Sequence, residues 1–211
     1  MKKLYILGAK YFDLVKRVEA INKLEPTWKI GGFLHTIRRI KRDDLWGYPL
    51  IGIEKIEALA RDGNNYFFCN KPRNIRAAQL LLSYNCNIAT LVHPAIDLNY
   101  VSMGKGCILP EGCIVGGRAK IGDFVTVRMM SLISHDVTIE DYVFIGPSVS
   151  IAGEAVLKRR CFIGQGAIIM GGRVIGEESV VGAGAVVTKD VPPGTVVIGI
   201  PAKPMQGRGQ R

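Results

Sequence analysis

The sequence predicts two parts of different fold class: a small α/β domain with a parallel sheet and, after it, a coiled parallel β-structure. Predicted strands and helices alternate over residues 1–90. From Met103 onward, an apolar side chain recurs at every sixth position. Glycine is abundant (25 of 211 residues) and aromatic residues are few (8%), a composition that suits tightly turned β-structure better than a helical bundle.

Residues 1–90 contain short apolar runs separated by amphipathic segments. The predicted strands are 3–7, 29–34, 66–69 and 87–92, and the predicted helices are 13–23, 54–61 and 74–83. Helix 13–23 would bury one face, formed by Leu14, Val15, Val18 and Ile21. This order predicts a Rossmann-like α/β domain that ends near His93-Pro94, since proline restricts the residue before it.

The repeat runs without a break from Met103 to Val187. The residue four places after each apolar position is small or short-branched, and Arg173 is the one exception. A period of six fits neither a helix nor an alternating strand. It predicts one short strand and one turn per repeat, with three repeats closing a triangular coil of 18 residues. Turn-side glycines are expected where φ is positive: Gly116, Gly122, Gly146, Gly164, Gly176 and Gly182. The pattern resembles the hexapeptide-repeat proteins, which form a left-handed parallel β-helix.

Composition argues against several classes of protein, among them disulfide-rich, membrane-spanning and nucleic-acid-binding proteins. Five cysteines without a CxxC pair argue against a disulfide framework. The absence of an apolar run of about 18 residues, or of a signal peptide, predicts a cytoplasmic protein without a membrane span. Residues 1–90 hold 16 Lys and Arg against 8 Asp and Glu, which fits an anionic partner such as a nucleotide diphosphate or, equally, a solvated basic surface. No nucleic-acid-binding motif accompanies this charge.

His135 is the candidate catalytic base. Steps of 18 residues place it in a column with Gly117, Gly153, Gly171 and Lys189, so glycines flank it on both neighbouring coils. Missing side chains would leave a groove along which an extended pantetheine arm fits. There the N–H of Gly153 would donate to a thioester oxygen, and His135 would take a proton from the attacking group. Asp136 would fix the imidazole tautomer.

The chain resembles the bacterial family that includes sialic acid O-acetyltransferases and the N-acetyltransferases of nucleotide-linked amino sugars. The segments that carry the resemblance are 134–141 (SHDVTIED), 181–194 (VGAGAVVTKDVPPG) and 199–203 (GIPAK). The resemblance implies an acetyl-CoA-dependent homotrimer without a metal, in which His135 is the proton acceptor and Asp136 increases its basicity. It assigns residues 1–90 to acceptor binding, 91–198 to the acetyltransferase β-helix and 199–211 to a C-terminal loop and basic tail.

By the same resemblance, acetyl-CoA would contact a set of residues that partly coincides with the glycine column. The resemblance gives Phe144, Gly153, Gln165, Ala183, Pro201, Ala202 and Lys203, and the column of His135 adds Gly171 and Lys189. The acceptor half departs from the family pattern. Lys10 follows Gly8-Ala9 where a glycine-rich turn is usual, His35 replaces an aspartate, and Arg128 replaces an asparagine. The candidate acceptor contacts are therefore Gly8, Lys10, His35, Asn70 and Arg128.

Three functions remain open at this point. The preferred one is acetyl transfer to the amino group of a nucleotide-linked sugar for surface polysaccharide or glycan biosynthesis. The second is O-acetylation of a sialic acid or related sugar, because a histidine base serves either nucleophile. The third is a non-catalytic scaffold that binds a nucleotide sugar. A zinc carbonic anhydrase on the same β-helix needs three histidines, whereas only His135 lies within the repeats.

Overall fold

The computed structural model describes residues 1–8, 12–35, 44–69 and 75–205. The chain divides into two compact units, Met1–Pro94 and Ala95–Arg211. This division falls a few residues after the boundary expected at residue 90. Among the described residues, no helix is long and apolar enough to cross a membrane.

The N-terminal unit is built around one sheet flanked by helices. Its strands are β1 (Lys2–Leu7), β2 (Trp28–His35), β3 (Asp44–Leu45), β4 (Tyr48–Gly52), β5 (Asn65–Cys69), β6 (Asn87–Ile88) and β7 (Leu91–Val92). Its helices are α1 (Asp13–Leu24), α2 (Ile56–Ala60) and α3 (Ile75–Ser83). The sheet order is β3-β4-β2-β1-β5-β6, and every pair is parallel except β3 with β4. The predicted parallel α/β class is confirmed.

Three details of this unit differ from the predicted elements. The predicted strand 87–92 is two short strands, and the predicted helix 54–61 begins as a 3-10 turn over Ile53–Lys55 before α2. The hairpin β3–β4 was not predicted. Its two-residue turn is Trp46-Gly47, with φ of 55° and 79°, a geometry that sequence reasoning expects from Asn-Gly or Asp-Gly instead. Helix α1 buries the predicted face of Leu14, Val15, Val18 and Ile21.

The second unit is a parallel β-helix made of short strands. Its strands are β8 (Ser102–Met103), β9 (Ile108–Leu109), β10 (Ile114–Val115), β11 (Lys120–Ile121), β12 (Thr126–Val127), β13 (Leu132–Ile133), β14 (Thr138–Ile139), β15 (Phe144–Ile145), β16 (Ser150–Ile151), β17 (Val156–Leu157), β18 (Phe162–Ile163), β19 (Ile168–Ile169), β20 (Val174–Ile175), β21 (Val180–Val181), β22 (Val186–Val187), β23 (Val196–Ile198) and β24 (Lys203–Pro204). Each strand through β22 pairs with strands three places away in the chain order, so successive strands turn onto different sheets.

The strands form three faces. Face 1 has the order β10-β13-β16-β19-β22, and face 2 has the order β20-β17-β14-β11-β8. Face 3 contains β9, β12, β15, β18, β21 and β23, with β24 antiparallel at its end. Ile133 pairs with Ile151, and Ile151 pairs with Ile169, so one coil is 18 residues, as predicted.

The core of the β-helix follows the two predicted columns of side chains. From Ile121 to Val187, the large apolar residue of each repeat is buried. The small column is buried beside it, with Ser131 and Ser179 as its polar members. Arg173 is half-buried. Its Nε donates to the carbonyl of Gly171 (3.2 Å), and its Nη1 lies 3.6 Å from Oδ1 of Asp190, so the cation stays outside the core.

The turn-side glycines are required for a different reason from the one predicted. None of the six expected at positive φ has a positive φ. A Cβ at Gly116 would lie 2.5 Å from the backbone nitrogen of His135, and one at Gly164 would lie 2.6 Å from that of Ala183. Close approach of adjacent coils therefore excludes a side chain at these positions. The positive φ occurs two residues later in each turn, and residues such as Arg118 (61°) and Asp136 (57°) adopt it there.

Candidate active site

His135 lies in the turn between β13 and β14, at a corner where face 1 meets face 2. We call this the His135 corner; its column contains Gly117, His135, Gly153 and Gly171. Lys189, predicted to continue the column, lies in a shortened turn after β22, where Ile175 pairs with Val191 and the coil is 16 residues and not 18. The Asp136 N–H donates to the carbonyl of Gly117, and the Glu154 N–H donates to that of His135. These bonds join consecutive coils at the corner. The His135 side chain remains 63% exposed, so its imidazole is accessible in one chain.

The imidazole of His135 is held by its neighbour. Nδ1 of His135 lies 2.8 Å from Oδ2 of Asp136. An ionised carboxylate only accepts hydrogen bonds, so Nδ1 carries the proton and donates it. In the neutral imidazole, Nε2 then carries the free lone pair that a general base needs.

The charge state of Asp136 is fixed by a residue that the sequence analysis did not single out. Nε and Nη2 of Arg118 donate to Oδ1 and Oδ2 of Asp136, each at 2.6 Å. The hydrogen bonds from the Arg118 guanidinium first, and from His135 second, hold the pKa of Asp136 well below its usual range. Arg118 stands one coil before Asp136, so a step of 18 residues back from Asp136, as was made for His135, would have found it.

Gly153 lies against the imidazole ring. A Cβ built at Gly153 would be 2.6 Å from Cε1 and 2.8 Å from Nε2 of His135. Any side chain at residue 153 would therefore displace the ring. The structure places residues 135 and 153 on one corner, one coil apart, as the 18-residue spacing predicts.

The backbone carbonyl and the backbone N–H of Gly153 differ in their hydrogen bonding. Its carbonyl accepts the N–H of Gly172 at 2.9 Å. Within the described residues, no backbone hydrogen bond uses the Gly153 N–H. An N–H beside the imidazole suits an oxygen that gains negative charge.

The rest of the His135 corner is open. A Cβ at Gly117 would meet nothing within 4 Å, and one at Gly171 would come no closer than 3.3 Å, to the carbonyl of Gly153. Lys189 is exposed where β22 ends. The column is thus a groove with a cation at one end.

The other predicted cofactor contacts lie elsewhere on the β-helix. Gln165 and Ala183 are exposed and stack in the turns that precede β19 and β22. This corner, the Gln165 corner, forms the opposite edge of face 1 from the His135 corner. Phe144 is half-buried on face 3, where it stacks on Phe162 at 4.8 Å between ring centroids. The Ala202 N–H donates to the carbonyl of Val186 at 2.7 Å, which holds the segment of Pro201, Ala202 and Lys203 beside β22.

The structure brings together only some of the candidate acceptor contacts. Gly8 and His35 end the neighbouring strands β1 and β2, and the Gly8 N–H donates to the carbonyl of Leu34. Nδ1 of His35 is buried and has no hydrogen-bond partner within the part of the chain that the structure describes. Arg128 is half-buried where β12 ends, beside the Gln165 corner and not the His135 corner. Lys10 and Asn70 lie outside the described residues.

These features define a class of β-helix. The model of the bacterial transferase hexapeptide family (six repeats) matches residues 154–189. The predicted left-handed β-helix is thereby confirmed. No curated protein sequence matches the chain. Among the described residues, no group of three or more His, Cys, Asp or Glu could hold a metal ion.

Solved structures resemble the whole chain. PerB from Caulobacter crescentus, in complex with CoA and GDP-perosamine, has a TM-score of 0.83 at 24% identity, covering 97% of this chain and 98% of that one. The acetyltransferase domain of PglB from Neisseria gonorrhoeae, in complex with acetyl coenzyme A, has a TM-score of 0.82 at 24% identity, covering 97% and 99%. WeeI from Acinetobacter baumannii has a TM-score of 0.83 at 24% identity, covering 97% and 100%. The likeness extends to the α/β unit and establishes a shared fold.

Proposed function

We propose that the chain transfers the acetyl group of acetyl-CoA to the amino group of a nucleotide-linked sugar. The observation that carries this proposal is the His135 imidazole, which is hydrogen-bonded to Asp136 and lies over Gly153 at a corner whose neighbouring positions carry no side chains. Two structures that match almost the whole chain hold CoA with GDP-perosamine or acetyl coenzyme A. A groove of bare backbone suits a narrow, extended pantetheine arm, and the exposed Lys189 at its end suits a phosphate.

The transfer then follows from the atoms at the corner. The amine nitrogen of the sugar attacks the thioester carbonyl carbon, a C–N bond forms, and the C–S bond breaks. Nε2 of His135 takes the proton that the amine loses, and the departing CoA sulfur takes up a proton. The Gly153 N–H donates to the thioester oxygen while that oxygen carries negative charge.

The acceptor is proposed to bind through the α/β unit. In open parallel sheets, ligands bind beyond the carboxyl ends of the strands. Gly8 and His35 lie at such ends, and Nδ1 of His35, which has no partner among the described residues, is a buried polar atom that a ligand could bind. A nucleotide there would supply both hydrogen-bonding groups and negative charge, which the basic N-terminal half favours.

We also propose that the working unit is a homotrimer packed through face 1. Outward-facing Ile114 (63% exposed), Leu132 (37%) and Ile168 (42%) form an apolar stripe on this face. Such a stripe marks an interaction surface. Face 1 separates the His135 corner from the Gln165 corner within one chain. A second copy packed on face 1 would bring its Gln165 corner to the His135 corner of the first.

The test is turnover of acetyl-CoA, followed by release of the free thiol. The acceptor panel contains nucleotide-linked amino sugars, the same nucleotides with hydroxyl sugars, and free sialic acid. We expect turnover only with an amino sugar, and a product whose mass has gained one acetyl group. His135→Ala should lower turnover by roughly 100- to 10,000-fold while acetyl-CoA still binds. Unchanged turnover in that variant would remove the assigned base, and turnover with hydroxyl sugars alone would favour O-acetylation.

A further inference from the structure

Arg118 grips the carboxylate beside the base from the preceding coil. Both Arg118 and Asp136 occupy the left-handed position of their turns, with φ of 61° and 57°. The Asp136 N–H bond to the Gly117 carbonyl fixes the spacing of these two turns. The two side chains therefore meet in one geometry, with two hydrogen bonds of 2.6 Å.

The two interactions of Asp136 share an oxygen. Oδ2 accepts from Nη2 of Arg118 at 2.6 Å and from Nδ1 of His135 at 2.8 Å. A planar guanidinium that binds both carboxylate oxygens fixes the plane of the carboxylate as well as its position. Without Arg118, the carboxylate of Asp136 could rotate away from the imidazole or turn toward solvent.

A second arginine–carboxylate pair joins adjacent coils of the same β-helix, at a different corner. Arg160 pairs with Glu178 one coil later, and both again occupy left-handed turn positions. Arginine–carboxylate pairs across coils thus also occur at a corner without a histidine. Because exposed ion pairs contribute little to stability, stability alone does not account for the bidentate contact at the base.

We propose that Arg118 is a positioning residue that holds the Asp136 carboxylate against Nδ1 of His135, and so selects the neutral tautomer whose Nε2 lone pair lies over Gly153. This inference rests on the proposed acetyl transfer, in which His135 is the base. Arg118 acts through Asp136 and touches no reacting atom. Arg118, Asp136 and His135 thus form one series of hydrogen-bonded side chains across two coils of the corner.

The test uses Arg118→Gly, because glycine adopts a positive φ at no steric cost and leaves the turn unstrained. We expect kcat to fall about 10- to 100-fold, which is usual when a residue that orients a catalytic side chain is removed. The KM for acetyl-CoA should be unchanged. Added guanidinium, far below denaturing concentrations, should restore part of the activity. Arg118→Lys, which keeps the charge and loses the fork, should fall between wild type and Arg118→Gly.

The matched control is Arg160→Gly, which removes the corresponding arginine of the second ion pair. It should leave kcat unchanged. If Arg160→Gly lowers kcat as much as Arg118→Gly does, or if Arg118→Gly retains wild-type kcat, the positioning role is refuted.

A measurement that needs no turnover separates this inference from the proposed function. NMR nitrogen shifts report the tautomer of each histidine, and the chain has only three, so His135→Ala assigns the signals. In the wild type, His135 should be the Nδ1–H tautomer, and in Arg118→Gly a mixture of the two. An unchanged tautomer in Arg118→Gly would overturn the inference even if acetyl transfer is established. A changed tautomer in a protein that turns over no acceptor would support it while the proposed function fails.

Discussion

The imidazole of His135 lies against Gly153 so closely that a single methyl group at residue 153 would overlap it. A Cβ at this position would fall 2.6 Å from Cε1 and 2.8 Å from Nε2 of the ring. The glycine thus does two things at once. It leaves room for the imidazole, and it places a backbone N–H near the ring.

Gly153→Ala should therefore lower turnover without unfolding the protein. Residue 153 has no positive φ, so alanine is tolerated by the backbone, and the exposed ring is free to move aside. A displaced base costs roughly 100-fold in kcat. Steady-state kinetics and a melting curve check the prediction. Gly63→Ala, where a Cβ meets nothing within 4 Å, serves as the control. Full activity in Gly153→Ala would show that this position of the ring is not the working one.

Asp136→Asn should separate the charge of the carboxylate from its place in the turn. Asparagine tolerates the left-handed φ of 57° found at residue 136, so the turn should persist. The amide cannot serve as a charged acceptor for both Arg118 and His135. We expect kcat to fall about 10- to 100-fold, with little change in KM for acetyl-CoA. Glu154→Gln removes a carboxylate from the left-handed turn position one coil later and should retain activity. Equal losses in both variants would point to net charge at the corner instead.

The repeat made most of this geometry predictable from the sequence. A six-residue period fixes the coil length, and the coil length fixes which residues stack, so His135 could be placed beside Gly153 before any coordinates. The role of the turn-side glycines was not predictable in this way. The period locates Gly116 in a turn, but only the distance to the next coil shows that a Cβ would strike the His135 backbone.

Contacts between long side chains were harder to foresee. The spacing places Arg118 and Asp136 in one column, yet a column does not show that the guanidinium binds both oxygens. In the N-terminal unit, the hairpin β3–β4 escaped prediction because Trp46 carries the positive φ of its turn. Local propensity disfavours that conformation for a large side chain, and packing of Trp46 against Phe12 and Phe33 accompanies it.

The pH dependence of stability should show that Asp136 stays ionised through the neutral range. The charged neighbours at its turn are Arg118, His135 and, one coil later, Glu154. Because hydrogen bonds from Arg118 and His135 lower its folded-state pKa, its contribution to stability is present above the unfolded value of about 3.9. The contribution is lost as the pH falls below that value.

The difference in Tm between wild type and Asp136→Asn should accordingly be constant from about pH 5 to 9 and shrink below about pH 4. Melting curves across this range check it. A difference that vanishes between pH 6 and 8 would mean that the carboxylate titrates there.

The proposed packing through the apolar stripe on face 1 can be tested by a charge placed on it. Leu132→Glu places a charge among Ile114, Ile168 and the exposed side chains of Met130 and Met170, where a packed interface cannot solvate it. If the proposed trimer forms, light scattering should report trimer for the wild type and monomer for this variant. Lys120→Glu, on exposed outward-facing residue 120 of face 2, should leave the trimer intact.

Activity should fall with the trimer, because a monomer presents the His135 corner without a Gln165 corner beside it. The loss should appear as a raised KM for acetyl-CoA, since the base and its ion pair lie within one chain and stay in place. Monomers that retain wild-type KM would show that one chain holds the whole site, and the pairing of the two corners would then have no part in binding.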